Sequence, residues 1–174
     1  VLVPAARPPH KPGVRLAPGV HRLAMAELAA EEEPWLCASG IELEREGPSY
    51  TFDTLSALPE TLGEPADVER WFVLGSDNLP GLPGWHRARE LLALARPIVV
   101  WRGGDDPSEV PGDVRERLGP ELSARLREGF LAVPPHPASA TALRAALARG
   151  EVEPEHLPVR IAEYIRARGL YSSA

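Results

Sequence analysis

The chain has 174 residues, the size of one folding unit able to bury about two thirds of its unfolded surface. Hydrophobic residues at 44% and charged residues at 25% are ordinary globular values, and no apolar run approaches the roughly 20 residues a bilayer-crossing helix needs. A formal charge of −6 argues against general affinity for nucleic acid, and a lone Cys37 excludes an intrachain disulfide or a thiolate metal cluster.

The only methionine is Met25, so Val1 is not an initiator residue; the opening "VLVP" reads as the end of a buried strand, and a stretch is expected ahead of it. Nothing resembles a signal peptide, which makes a reducing cytoplasm the expected compartment. Short apolar runs then alternate with helical patterns, the signature of βα units and a parallel sheet. The strands predicted are Val1 to Val3, Trp35 to Leu43, Trp71 to Leu74, Pro97 to Trp101 and Phe130 to Val133. Between them lie amphipathic helices: Val20, Leu23, Ala24 and Leu28 share one face, Leu91, Leu92 and Ala95 another, and Leu143, Ala146 and Leu147 a third. Residues 103–129, rich in Gly, Pro and acidic residues, break the rhythm and read as a surface insertion with two short helices. The closing "PVRIAEYIRAR" places Pro158 near a helix start and Gly169 at its end. The expectation is one α/β domain over residues 1–174, a Rossmann-like parallel sheet with helices on both faces, whose first strand-helix unit is missing from this chain.

In such sheets ligands sit at the carboxyl ends of the strands, where loops lead into helix N-termini. Four strand exits carry chemistry. The loop "ARPPHKPGVR" offers His10, Lys11 and Arg15 on a proline-stiffened backbone; Lys11 is the one lysine beside eighteen arginines, and its compact ammonium suits a single phosphate oxygen, although a plain connecting loop explains it equally. "GPSYTFD" opens a helix with Phe52, Leu55, Leu58 and Leu62 at helical spacing. Ser49 or Thr51 could simply cap it, or its unpaired N–H groups and positive dipole end could receive a carboxylate or phosphate. In "FVLGSDNLPGLPGWHRA" Gly75 permits close backbone approach, Asp77 could bind a sugar hydroxyl, and Trp85 either stacks on a ligand or plugs the core. In "PPHPASATALRAAL" Ser139 and Thr141 can cap a helix, with Arg144 one turn inside to share an anion or to face solvent. The glycine pair Gly103 and Gly104 lacks the spacing of a Walker or dinucleotide loop, and the five histidines are too scattered to suggest a metal cage.

Taken in order, "PPHK", "HRLAMAELA", "EREGPSYTFDTL", "WFVLGSD", "LPGWHRA", "SATALR" and "AEYIRARGLY" resemble bacterial nicotinate-nucleotide adenylyltransferases, of the nucleotidyltransferase α/β phosphodiesterase superfamily. The resemblance implies adenylyl transfer from ATP, with Mg²⁺, to nicotinate mononucleotide, giving nicotinate adenine dinucleotide and pyrophosphate. It implies that Thr51 receives the nicotinate carboxylate with help from the His86 N–H, and that Trp85 stacks on the pyridine ring. Gly75 and Asp77 match the strand end that contacts nucleotide sugars. Lys11 matches a lysine that reaches the phosphates, and Ser139, Thr141 and Arg144 match the helix start that holds the ATP phosphates, with Lys11 and Arg144 the catalytic candidates. Two departures stand out. Where the family reads Ile-Ser-Ser-Thr-x-Ile-Arg, this chain reads Ala138, Ser139, Ala140, Thr141, Ala142, Leu143, Arg144, so one hydroxyl is absent. The family's first strand and its His-x-G-His loop have no counterpart here, and are expected ahead of Val1. The same residues would also suit a non-catalytic nicotinate nucleotide-binding module or an adenylyltransferase with another acceptor. Partners are then small molecules rather than nucleic acid or membrane; oligomeric state is left open, a homo-oligomer included.

Overall fold

A computed structural model describes residues 1–8, 16–63, 65, 68–101, 109–134, 136–151 and 154–172. The chain divides into two compact units, one formed by residues 1–49 with 137–174 and the other by 50–136.

The second unit holds a three-stranded parallel sheet in the order β1 (Trp71–Gly75), β2 (Arg96–Trp101), β3 (Phe130–Ala132), flanked by helices. Phe72 pairs with Pro97 and Leu74 with Val99, while Val99 also faces Phe130 in register. Alternation is what puts Phe72, Leu74 and Val99 inside while Trp71 and Val73 stay exposed on the opposite face. The helix α2 (Thr51–Leu62) buries Leu55 and Leu58, as its spacing predicts, and α3 (Ala88–Leu94) buries Leu91 and Leu92 completely. Between β1 and α3 the chain winds as a 3-10 helix over Ser76–Gly84. Pro80 and Pro83 lack the N–H groups that an α-helix would use, and three residues per turn stack Leu79 and Leu82 on one side, both buried.

The stretch expected as a surface insertion carries α4 (Gly112–Leu118) and α5 (Pro120–Glu128), and these are packed rather than peripheral. Val114 and Leu126 are fully buried and Leu118 nearly so. Its polar composition conceals three apolar residues that all face inward. The glycines Gly103 and Gly104 lie outside the described residues.

In the first unit two of the predicted strands shrink to one parallel bridge between Leu2 and Ala38. The Leu2 N–H donates to the Cys37 carbonyl at 2.7 Å and the Ser39 N–H to the Leu2 carbonyl at 2.9 Å. Turns on both sides stop further pairing: Leu36 N–H folds back to Glu33, Leu43 N–H folds back to Gly40, and Trp35 is left 77% exposed, its indole N–H donating to Glu33. The remaining elements are α1 (Gly19–Ala30), α6 (Ala140–Ala148) and α7 (Val159–Ala167). Val20, expected on the inner face of α1, is exposed, whereas α7 buries Ala162 and Ile165. The two helices are tied by the His21 and Tyr164 side chains at 2.9 Å and by an Arg160–Glu31 ion pair. α7 ends at Ala167, and Gly169 follows two residues on in the left-handed conformation, close to where the sequence predicts, with Leu170 N–H reaching back to the Ile165 carbonyl.

Candidate active site

The start of α2 carries no side-chain cap. Its N-cap position is Tyr50, in extended backbone, and Thr51 is the first helical residue, so neither Ser49 nor Thr51 acts as the cap that composition suggests. The N–H groups of the first turn therefore keep their donor capacity at the positive end of the helix. Asp53 lies in this turn and places one negative charge there.

Against the same turn sits the short segment Trp85–Arg87. The His86 ring stacks on the Tyr50 ring, with centroids 4.4 Å apart and planes 24° from parallel. The Phe52 ring meets His86 edge-on at 6.5 Å. His86 Nε2 lies 3.7 Å from Asp53 Oδ1, and the Arg87 guanidinium covers the Phe52 ring at 3.9 Å. Arg87 adopts φ of 53°, a left-handed conformation that costs a non-glycine residue free energy, and it forms the N-cap of α3 while its Nε donates to Glu90 Oε1 at 3.3 Å. Glu90 is held below the usual carboxylate range by its own backbone N–H and then by Arg87.

Trp85 follows Leu79 and Leu82 at the same spacing of three, and its N–H donates to the Leu82 carbonyl at 3.0 Å. It is half-buried. The carboxyl end of β1 supplies Gly75 and Asp77. A Cβ at Gly75 would collide with Asp77 Oδ1, and Asn78 Nδ2 donates weakly to both the Gly75 carbonyl and Asp77 Oδ1 at 3.4 Å. The missing Cβ thus makes room for a carboxylate of this chain.

The other residues singled out by sequence belong to the first unit. Ser139 is the N-cap of α6, its Oγ accepting the Ala142 N–H at 3.4 Å. Arg144 Nη2 donates to Thr141 Oγ1 at 3.4 Å, so both side chains share the exposed first turn of that helix. Lys11 lies outside the described residues. Both stems of its loop are described and tied down: Ser49 Oγ accepts the N–H groups of Ala6 and Arg7 at 2.9 and 3.1 Å, while Arg22 donates to the carbonyls of Ala5 and Ala17 at 2.6 and 2.9 Å. Sequence reasoning passed over Tyr50, Asp53 and Arg22. Tyr50 and Asp53 flank Thr51 in the quoted motif, but a contact across 33 or more positions to His86 has no local signature.

Among the described residues no group of three or more His, Cys, Asp or Glu could hold a metal ion. No helix among them is long and apolar enough to cross a membrane.

A profile of the cytidylyltransferase-like family matches residues 1–147. A protein described as a probable nicotinate-nucleotide adenylyltransferase, from Aeromonas hydrophila, is 40% identical over 182 residues, which cover 99% of this chain and 83% of that protein. Proteins of the same description from Gloeobacter violaceus and Dehalococcoides mccartyi are 40% and 34% identical, with 97% and 98% of this chain and 79% and 81% of theirs covered. Among solved structures, the nicotinic acid mononucleotide adenylyltransferase of Plasmodium falciparum, complexed with NaAD, superposes with a TM-score of 0.58 over 97% of this chain and 80% of its own, at 15% identity, a likeness of fold. By profile and by identity along nearly its full length, the chain belongs to the cytidylyltransferase-like family and, within it, to the nicotinate-nucleotide adenylyltransferases.

Proposed function

We propose that this protein transfers the adenylyl group of ATP to nicotinate mononucleotide, releasing pyrophosphate and forming nicotinate adenine dinucleotide. The observation that carries this reading is the uncapped first turn of α2 with the Trp85–Arg87 segment held against it. A pyridine carboxylate needs N–H donors at a positive helix end and an aromatic face beside them, and this corner of the second unit supplies both kinds of group. Thr51 and the His86 N–H receive the carboxylate, and Trp85 offers its indole to the ring. A neutral amide gains less from the helix end, so the acid is preferred.

A phosphate oxygen of the mononucleotide attacks the α-phosphorus of ATP. The new P–O bond forms as the bond to the bridging oxygen breaks, and the electron pair leaves with pyrophosphate, so no covalent enzyme intermediate is needed. ATP enters as its magnesium complex. When bound with ATP, the ion would offset charge on the phosphates. The chain's own share is positioning and charge compensation, worth several kcal/mol in such sites. Gly75 and Asp77 contact the nucleotide sugars. Ser139, Thr141 and Arg144 hold the ATP phosphates, and Lys11 and Arg144 offset the charge that develops on the leaving group. The half-spent capping hydroxyl of Ser139 makes Thr141 and Arg144 the stronger pair. The exposed free thiol of Cys37 suits a reducing cytoplasm.

The test is a substrate panel. Turnover of ATP with nicotinate mononucleotide, at a kcat/KM at least tenfold above the amide mononucleotide, supports the proposal. No turnover with ATP would leave a nucleotide-binding module, and equal use of the amide would remove Thr51 and the α2 start from the specificity site. Thr51→Ala should narrow the acid preference, and Arg144→Ala should raise the KM for ATP and lower kcat.

A further inference from the structure

The pair α4 and α5 borders a cavity of about 350 Å³, and none of the residues assigned to substrates above lines it. One wall is a single face of α5. Pro120, Ser123, Ala124 and Arg127 recur at the three- and four-residue spacing that aligns side chains along a helix, a stripe about 10 Å long. Glu109 and Val110, just ahead of α4, and Arg115 within it complete the lining. Val110 and Ser123 are buried, which gives the cavity a packed base. Glu109, Arg115 and Arg127 are exposed, and among the described residues none of the three side chains has an ion-pair or hydrogen-bond partner. Two guanidiniums and one carboxylate thus border one cavity with their hydrogen-bonding capacity unspent. Ser123 differs: its hydroxyl donates to the Gly119 carbonyl at 2.7 Å, which leaves its oxygen only the acceptor role.

We propose that this cavity binds a small sugar phosphate, free or as the ribose phosphate end of a mononucleotide: Arg115 and Arg127 take the phosphate, and Glu109 and Ser123 take sugar hydroxyls. A phosphate has oxygens enough for two guanidinium forks, whereas a single carboxylate is filled by one. The carboxylate of Glu109 sets the rest of the chemistry. It repels a bare anion, and it gains only from a ligand that brings O–H donors beside its negative charge. The acceptor oxygen of Ser123 asks for the same kind of donor. A volume of about 350 Å³ is at the small end for ligand pockets, which favours one sugar and one phosphate over a dinucleotide. This site is separate from the adenylyl transfer proposed above, and its occupancy is measured without turnover.

The experiment is a backbone amide NMR titration of the full chain at constant ionic strength, with ribose-5-phosphate, AMP, inorganic phosphate and ribose as probes. Ribose-5-phosphate or AMP should shift the signals of residues 109–127 saturably, with a Kd of about 1 mM or tighter. Inorganic phosphate should bind there at least about tenfold more weakly, and ribose should leave the signals in place. Whichever of the first two binds more tightly distinguishes a free sugar phosphate from a nucleotide. Arg115→Ala combined with Arg127→Ala should weaken the better ligand at least about tenfold. Glu109→Gln should tighten inorganic phosphate and bring the two Kd values within about threefold, because the repulsion and the hydroxyl acceptor go together. All three changes fall at exposed positions, where substitution leaves the fold intact. The proposal is overturned by an absence of saturable shifts at residues 109–127, by equal affinity for inorganic phosphate and the sugar phosphate, which would mean a solvated basic patch, or by undiminished binding in the double variant.

Discussion

Ser49 and Arg7 hold one another twice: the Arg7 N–H donates to Ser49 Oγ at 3.1 Å, and the Ser49 N–H donates to the Arg7 carbonyl at 3.0 Å. The same hydroxyl also takes the Ala6 N–H at 2.9 Å. Ser49→Ala should therefore cost about 1 kcal/mol and lower Tm by about 2–4 °C, the low end for part-exposed donors that water can reach. Far-UV circular dichroism should show undiminished helix, because Ser49 does not cap α2.

At Gly75 the nearest obstacle to a Cβ is the end of an exposed, mobile side chain, Asp77 Oδ1. Gly75→Ala should thus keep stability within about 1 kcal/mol while displacing the carboxylate. Nucleotide affinity should fall about tenfold, roughly 1.4 kcal/mol. Because both changes act through one group, Gly75→Ala combined with Asp77→Ala should cost little more than Asp77→Ala alone, which titration calorimetry on the four proteins checks.

Gly129 presents the opposite case. A Cβ there would run into the backbone carbonyl of Pro97, and the Gly129 carbonyl accepts the Val99 N–H at 2.8 Å, so nothing nearby can rotate away. Gly129→Ala should destabilise the protein by about 1–3 kcal/mol, the usual cost of overpacking. Urea denaturation should show a lower midpoint at unchanged slope.

Glu90 gives a small pH dependence of known sign. Its carboxyl is held below the usual range by its own backbone N–H and by Arg87. A depressed folded pKa means that the carboxylate stabilises the fold above the unfolded value, and that this contribution fades as pH falls through the folded value. The Tm gap between wild type and Glu90→Gln should accordingly be present at pH 7 and close in strong acid. The Glu90 side chain is more than half exposed, so salt should shrink the gap as well.

Local pattern alone determined a good deal of this molecule. The apolar runs at Trp71, Pro97 and Phe130 became the parallel strands, the spacing of Leu55 and Leu58 became α2, and the Pro158 and Gly169 signals bound α7. Those features depend on the two-residue and 3.6-residue repeats of hydrogen-bonded backbone, which are written in neighbouring positions. The family could also be read from ordered motifs. Only the tertiary structure decided what each hydroxyl and ring touches. Ser49 faces Ala6 and Arg7 across more than forty positions instead of capping the helix beside it, and Tyr50 meets His86 rather than a neighbour in its own motif. The polar stretch around Val114 and Leu126 turned inward for the same reason: burial depends on what another part of the chain offers, and separation along the sequence carries no record of that.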